Sequence, residues 1–287
     1  MTTARTVLTV AALTLREASR RRVLLALTVL TVVLLALSGW GFSKLAAESG
    51  GTLTSGEARL TASIVLNLVM FGFSLIAALG TAFLAGPTLS GETESGIALA
   101  VLARPVRRSA FLLGKWLGLV VFGSGFVVLA GLAQIVVVRV AVDYWPPQPA
   151  AALALLAAQT TVLLTLTVLL ATAISPMASG VVAVGLFCTT WVAGVVGGVG
   201  TSLGNDAVGR VGSVSRMLLP TDGLWRGAMH GLQDPSAILE FGGGADEAGA
   251  FPFLSAAPLT TAYLAWAVVW VAMVWGLAAV TFVRKDL

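Results

Sequence analysis

Residues 20–40 read RRRVLLALTVLTVVLLALSGW: three arginines, followed by 18 residues without a charged side chain. A helix that crosses the hydrocarbon core of a bilayer needs about 20 mostly apolar residues. The stretch from Val23 to about Trp40 is therefore predicted to span a membrane. It is longer than the apolar core of a secretory signal, which has roughly 7–15 residues, so a cleaved signal is the less favoured interpretation.

Five further stretches have the same character, and together with the first they define the predicted fold. They run over about 64–86, 111–138, 150–174, 179–200 and 259–283, with Ser175 and Pro176 separating the fourth span from the fifth. The chain is 57% hydrophobic and 10% charged, whereas a soluble domain carries charge at roughly a quarter of its positions. We therefore expect an all-α, polytopic membrane protein whose six transmembrane helices form a single domain over residues 1–287.

The basic residues are distributed unevenly about these spans, and the asymmetry predicts the orientation. An even number of spans places both termini on one side, which would hold eleven basic residues: Arg5, Arg16, Arg20, Arg21, Arg22, Arg104, Arg107, Arg108, Lys115, Arg284 and Lys285. The other side would hold six: Lys44, Arg59, Arg139, Arg210, Arg216 and Arg226. We therefore expect cytoplasmic termini and an external connection over 201–258. The net charge of +4 then reflects topology, and nucleic acid is not an expected partner.

Two segments outside the spans are also patterned. Before the first span, one predicted helical face holds Leu8, Ala11, Ala12, Leu15 and Ala18, and another holds Arg5, Thr9, Arg16 and Arg20. This pattern predicts an amphipathic helix lying in the cytoplasmic membrane interface. The external connection is too apolar for a free loop, so we expect one or two short helices resting on the membrane surface there. The residues that indicate this are Leu218, Leu219, Leu224, Trp225 and Met229.

The polar residues of the spans bear on how a substrate could be moved. Asn67, Gln134 and Gln159 are the deep polar groups, and each could either line a pathway or form a hydrogen bond between helices. The predicted spans hold no deep carboxylate, and Lys115 is close enough to a helix end to reach the cytoplasmic surface. Ion-coupled pumps place ionisable groups deep in their helices. A proton-driven or sodium-driven transporter is therefore disfavoured.

Residues 90–109, between the second and third spans, read SGETESGIALAVLARPVRRS. Glu92 and Glu94 precede the apolar run from Ile97 to Ala103. Carboxylates at this position stabilise the N-terminus of a helix, and Pro105 ends the run. This predicts a short helix in the cytoplasm that is too short to cross a membrane and too apolar to be left in water. The helix is expected to bury itself either in a partner's groove or against its own bundle.

Three segments resemble the cytoplasmic signature of ABC-2 exporter permeases, in the NosY-like branch: Gly91-Glu-Thr-Glu-Ser-Gly96, Leu102-Ala-Arg-Pro105 and Leu113-Gly-Lys-Trp116. They occur in register with the predicted topology. The stretch Leu219-Pro-Thr-Asp222, before the last span, is similar to a further feature of that branch. The resemblance covers essentially the whole chain.

The resemblance implies the permease subunit of an ATP-binding cassette exporter in a bacterial plasma (inner) membrane. Two copies would pair as a homodimer with the substrate path between them, and a separate nucleotide-binding ATPase would supply the energy. This chain would then be no enzyme and need no cofactor, which agrees with its lack of a phosphate-binding P-loop motif. The residues expected to couple the chain to the ATPase are Glu92, Glu94, Gly96, Leu99, Leu102, Arg104 and Pro105.

Two other functions are compatible with the sequence: an ion-coupled secondary transporter, and a membrane assembly component that transports nothing. Relatives of the family act on lipids, drugs, peptides and ions, so the substrate class stays open. The sequence offers little material for a metal site, because His230 is the only histidine and Cys188 the only cysteine. His230 is expected on the surface of the external connection, and Cys188 as a small buried residue.

Overall fold

A computed structural model describes residues 3–48, 56–94, 107–241, 251–255 and 257–284. All regular structure in these residues is helical. Ten helices are present: α1 Thr3–Ala18, α2 Arg22–Glu48, α3 Gly56–Glu94, α4 Arg108–Val142, α5 Pro149–Ala173, α6 Pro176–Ser202, α7 Asp206–Leu218, α8 Thr221–Leu232, α9 Pro235–Phe241 and α10 Thr261–Arg284. Within the described residues, six of them are long and apolar enough to cross a membrane, namely α2 to α6 and α10. The prediction of a multi-pass, all-helical membrane protein is confirmed.

The spanning segments lie where the sequence predicted them, but most of the helices are longer. The third span was expected over 111–138, whereas α4 covers Arg108–Val142; the second was expected over 64–86, whereas α3 covers Gly56–Glu94. The apolar pattern marks only the part of a helix that faces hydrocarbon. The backbone hydrogen bonds continue through the polar residues on either side, so the hydropathy pattern gives the span and not the helix ends.

Both described ends of the chain lie at the same end of the bundle, as an even number of spans requires. Phe111 near the start of α4 stacks on Phe282 near the end of α10, with ring centroids 6.4 Å apart. An Nη1 hydrogen of Arg108 is donated to the carbonyl oxygen of Val283 at 3.2 Å. Helix α1 packs along the same part of α4. We name this the basic end, after the arginines at its helix termini: Arg16, Arg20, Arg21, Arg22, Arg107, Arg108 and Arg284.

Helix α5 occupies the centre of the bundle, where it contacts α3, α4, α6, α8 and α10. Its sequence is rich in Ala, Leu and Thr, and 13 of its 25 residues are buried. Helix α2, in contrast, touches only the outside of α3 and α4, and just 17% of its spanning segment is buried. Apolar side chains cover its free surface, including Leu25, Val32 and Leu37. Such a surface suits contact with lipid or with another apolar partner.

The connection between α6 and α10 differs from the prediction. Helix α7 turns back along α6, and α8 then packs against α5, α6 and α3 inside the bundle. Leu224, Trp225 and Met229 are fully buried there, so α8 is part of the core, whereas α7 exposes apolar side chains such as Val214. Thr221 at the start of α8 lies 3.1 Å from the hydroxyl of Thr190, which is about 21 Å along the axis from the first residue of α6 and about 18 Å from the last. The connection therefore enters the bundle to half its depth, and we name residues 203–232 the re-entrant hairpin.

Helix α1 is present, and of its predicted apolar face only Ala18 is fully buried against α4. Val7, Thr14 and Ala18 are buried against α4, whereas Leu8 and Leu15 are exposed. The close approach of α4 decides which face is covered, because two glycines there admit small side chains and not leucines. The exposed leucines leave an apolar strip beside the basic end.

Candidate functional site

The structure reaches only part of the predicted coupling segment. Glu92 and Glu94 lie at the C-terminal end of α3, where the chain continues the helix instead of starting a new one. The remaining predicted coupling residues lie outside the described residues: Gly96, Leu99, Leu102, Arg104 and Pro105. The segment therefore connects the C-terminal end of α3 to the start of α4.

The three deep amides each join two parts of the bundle. The Asn67 side chain donates from Nδ2 to the carbonyl oxygen of Phe253 at 2.9 Å, and Gln134 donates from Nε2 to Ser38 Oγ at 2.6 Å. Gln159 accepts from Ser74 Oγ at 3.1 Å and donates to the carbonyl oxygen of Thr221 at 3.3 Å. All three are buried. Of the two roles that the sequence left open, these contacts match the hydrogen bond between elements, and Gln159 links the central helix to the re-entrant hairpin.

Each polar or small residue of the Leu113–Trp116 motif has a distinct contact at the basic end. Gly114 lets α1 approach so closely that a Cβ there would lie 2.6 Å from the Cβ of Val10. A Cβ at Gly118, one turn further, would lie 2.7 Å from the carbonyl oxygen of Ala11. Trp116 points the other way and donates from Nε1 to Thr165 Oγ1 of α5 at 2.9 Å. The motif therefore fixes α4 between α1 and the central helix.

Lys115 of the same motif forms an ion pair with α1. Its Nζ lies 3.4 Å from Glu17 Oε2, and its side chain is only 7% exposed, so it does not reach to the surface as the sequence suggested. Glu17 is also 2.5 Å from Arg21 Nη2. Burial raises the pKa of the Glu17 carboxyl, but the hydrogen bond from Arg21 and the charges of Lys115 and Arg21 outweigh burial and hold this pKa below its usual value. Glu17 thus stays charged and holds α1 on α4 electrostatically.

The Leu219–Asp222 motif forms the turn at the deepest point of the re-entrant hairpin. Leu219 is buried in a cluster with Trp270 and Val274 of α10, and Pro220 precedes the first turn of α8. Thr221 bonds to α6 through its hydroxyl and to α5 through its carbonyl oxygen. Asp222 stands in the first turn of α8, where a carboxylate interacts favourably with the helix dipole.

Asp222 is the centre of a buried charge cluster. Its Oδ2 accepts hydrogen bonds from Arg216 Nε at 2.9 Å and from Arg226 Nε at 3.2 Å, and its side chain is 1% exposed. Arg226 also donates from Nη2 to the carbonyl oxygen of Gly194 at 2.9 Å. The carboxylate rests directly on Gly194, where a Cβ would collide with Oδ2. We name Arg216, Asp222 and Arg226 the charge triad.

Sequence reasoning missed this carboxylate because it searched for acidic groups only inside the six spans. Asp222 reaches mid-depth through the connection instead. A signal was present: Arg226 follows Asp222 by four residues, the spacing of an ion pair on one helical face. The triad carries two positive charges and one negative charge, so its net charge repels a cation and attracts an anion.

The last carbonyl groups of α7 have no backbone N–H donor within the helix, so they need donors from elsewhere. Three side chains of α10 supply the donors. Tyr263 OH donates to the carbonyl oxygen of Arg216 at 2.9 Å, Trp266 Nε1 to that of Met217 at 3.2 Å and Trp270 Nε1 to that of Leu218 at 2.8 Å. These donors fix the re-entrant hairpin to the last span.

The other candidates for chemistry are separate from these two regions. Within the described residues, no three His, Cys, Asp or Glu side chains are placed to hold a metal ion. His230 is half-buried, with Nδ1 3.3 Å from the carbonyl oxygen of Ser255, so it is less exposed than expected. Cys188 is exposed on α6, and the expectation that it is buried is wrong.

Comparison of the sequence with known protein families gives no match, and comparison with curated proteins gives none either.

Proposed function

We propose that the chain is the permease subunit of an ATP-binding cassette exporter of the ABC-2 type, driven by a separate ATPase. The observation that carries the proposal is the Leu113–Trp116 motif, which is one of the segments that resemble this family. It lies directly after the proposed coupling segment and locks α4 to α1 and α5 at once. A displacement of residues 95–106 would therefore move α4 together with α1 and the central helix α5.

The lengths of the flanking helices suit this transmission. Helix α3 has 39 residues, which corresponds to about 58 Å, and about 30 Å suffices to cross a hydrocarbon core. Its spanning part ends at Ala85, so the helix continues for more than two turns before the coupling segment begins. On our proposal this extension carries the segment from the cytoplasmic membrane surface to the ATPase, with α1 as a connecting helix in the interface.

Two copies of the chain would pair as a homodimer in the bacterial plasma membrane, with the substrate passing between them. The exposed apolar faces of the spans leave ample surface for both lipid and a second copy. The positive-inside rule places the basic end, and with it both termini, in the cytoplasm. A thiol reagent that cannot cross the membrane tests this orientation in a Cys188→Ala background: Ser202→Cys is expected to react on intact cells, and Thr3→Cys only after lysis. The opposite pattern would overturn the orientation.

The decisive experiment is a pull-down of the tagged chain from membranes of its own host. We expect an ATPase with nucleotide-binding motifs to co-purify, and the chain alone to bind no ATP. Leu99→Asp places an unpaired charge in the proposed contact, so it is expected to abolish co-purification and leave the amount of inserted chain unchanged. Leu203→Asp is the matched control, because Leu203 is 78% exposed in the turn between α6 and α7.

The results separate this function from the alternatives. If Leu99→Asp lowers the amount of folded chain and no ATPase co-purifies with the unaltered protein, the segment packs on its own bundle and the proposal fails. An unaltered, fully coupled complex with Leu99→Asp would show that this segment is not the coupling element. Partners without nucleotide-binding motifs would favour an assembly component.

A further inference from the structure

A cavity of about 360 Å³ lies at the end of the bundle opposite the basic end. The last turns of α6, the re-entrant hairpin and the start of α10 surround it. Its wall includes polar side chains from each of these elements: Thr201, Ser213, Arg216, Arg226 and Tyr263. A cavity of this size is within the range of small-molecule sites, and such sites use a few well-placed polar groups to orient a ligand.

The charge of the wall is positive. Two guanidinium groups line the cavity, and no Asp or Glu is among its described lining residues. Asp222 stands behind the arginines and accepts from the Nε of both, so it offsets only one of the two positive charges. The remaining charge lies between low-dielectric walls, which strengthens its attraction for an anion.

Arg216 also keeps donors free for a ligand. Its Nε is engaged by Asp222, but its terminal nitrogens have no hydrogen-bond partner among the described residues. The side chain is 29% exposed, whereas that of Arg226 is 13% exposed and partly committed to Gly194. Asp222 fixes the side chain of Arg216, and Tyr263 bonds its backbone carbonyl. A guanidinium fork held in this way matches the oxygens of a phosphate or carboxylate and loses little conformational freedom on binding.

The cavity lies where the spans end. Thr201 is the penultimate residue of α6, and Tyr263 is the third residue of α10. Beside the cavity, α7 exposes an apolar face that includes Val211 and Val214. A polar, cationic cavity is thus placed next to apolar surface at the level of the lipid headgroups.

We propose that this cavity binds a phosphate-type oxyanion, carried by the headgroup of an anionic lipid or present as a free ion. Arg216 is its principal donor, and Arg226 adds charge from the rear wall. The site stands on the geometry of the charge triad and does not depend on ATP-driven transport.

The test uses the purified full chain in neutral detergent, with tryptophan fluorescence reporting the thermal midpoint. Inorganic phosphate is titrated against sodium chloride at matched ionic strength, and phosphatidylglycerol against phosphatidylcholine in mixed micelles. We expect a saturable rise with phosphatidylglycerol, with phosphate or with both. A response to phosphate assigns the site to free oxyanions as well, and a response to phosphatidylglycerol alone assigns it to the lipid headgroup.

Two variants test the location of the site. Arg216→Gln removes the free fork and is expected to weaken the apparent affinity about tenfold, since hydrogen bonds to charged groups contribute that much. Arg210→Gln is the matched control, because Arg210 is exposed on the same helix and does not line the cavity. Ser213→Leu narrows the cavity and leaves all three residues of the triad in place, so it decides the matter if Arg216→Gln does not fold. The proposal is overturned if the unaltered chain shows no saturable response to either probe. It is equally overturned if Ser213→Leu, or a folded Arg216→Gln, binds as the unaltered chain does.

Discussion

Both ends of the bundle are held by close glycine contacts and by an ion pair, but the two ion pairs differ in their exposure to solvent. At the basic end, α1 approaches α4 over Gly114 and Gly118, and Lys115 pairs with Glu17. At the opposite end, α7 approaches α6 just as closely, because a Cβ at Gly197 would lie 2.5 Å from the Cα of Gly212. There the pairing residue is Asp222 of the adjoining helix α8. Each end thus combines glycines that admit a neighbouring backbone with an ion pair that fixes it.

The difference lies in how deeply the carboxylate is buried. The side chain of Glu17 is 37% exposed, whereas that of Asp222 is 1% exposed. An ion pair near solvent contributes about 0–1 kcal/mol, but a buried charge that loses its partners destabilises a protein by roughly 3–5 kcal/mol. The carboxylate of the basic end therefore stays accessible to solvent, while that of the re-entrant hairpin is a fixed part of the core.

The largest expected effect is at the charge triad. Asp222→Asn keeps the shape of the side chain but leaves the largely buried Arg226 and the partly exposed Arg216 without a counter-charge, so we expect it to destabilise the fold by about 3 kcal/mol. Denaturant titration in detergent, followed by tryptophan fluorescence, measures the change. Asp206→Asn is the control, because Asp206 is exposed at the start of α7. Equal midpoints for the two variants would contradict the central role of the triad.

The second effect tests the glycine contact at the basic end. A Cβ at Gly118 would lie 2.7 Å from a carbonyl oxygen of α1, which cannot move aside as a side chain can, so Gly118→Ala is expected to cost about 1–3 kcal/mol. Gly125→Ala on the same helix meets nothing within 4 Å and should be neutral or slightly stabilising. Hydrogen exchange of the α1 amides reports the loss. Unchanged protection of α1 in Gly118→Ala would show that the close contact does not hold this helix.

The sequence predicted the spans well because each is a long apolar run, and that signal is local. It failed for the connection over 201–258, since nothing in a local pattern distinguishes helices on a membrane surface from helices that fold back into a bundle. Leu224 and Trp225 were recognised as too apolar for a loop, but their partners come from helices distant in sequence. Asp222 was overlooked for a different reason, because the search for carboxylates was confined to the six spans.

The same limit applies to the faces of α1. Helical periodicity placed Leu8 and Leu15 on a face suited to the membrane interface, and it did not indicate that Val7 and Thr14 are buried against α4. The choice is made by Gly114 and Gly118, about 100 residues away along the chain. The contacts of the Leu-Gly-Lys-Trp and Leu-Pro-Thr-Asp segments became visible only in three dimensions.

A third substitution, with a smaller expected loss of stability, tests the attachment of the re-entrant hairpin to α10. Trp270→Phe removes the donor to the carbonyl oxygen of Leu218 and leaves that buried group unpaired, at an expected cost of about 1–2 kcal/mol. Trp275→Phe is the matched control on the same helix, because Trp275 Nε1 has no hydrogen-bond partner among the described residues. The two variants are compared by thermal midpoint. A larger loss with Trp275→Phe would mean that packing, and not the hydrogen bond, fixes the hairpin.

The smallest expected effect is the pH dependence of the basic end. Although burial acts in the opposite direction, Arg21 and Lys115 hold the pKa of Glu17 below its usual 4.5. A carboxyl whose pKa is lowered in the folded state stabilises that state above its unfolded pKa, and this contribution is lost as the pH falls through the folded value. Protection of the α1 amides is therefore expected to be constant from neutral pH down to about 4.5 and to decrease below it. Glu17→Gln should remove this decrease. Asp143→Asn should not, because Asp143 pairs with Arg139 at the opposite end, where its side chain is 69% exposed. If Glu17→Gln keeps the same acid response, another group controls the docking of α1, and the contrast between an accessible and a buried carboxylate would not explain how the two ends respond to pH.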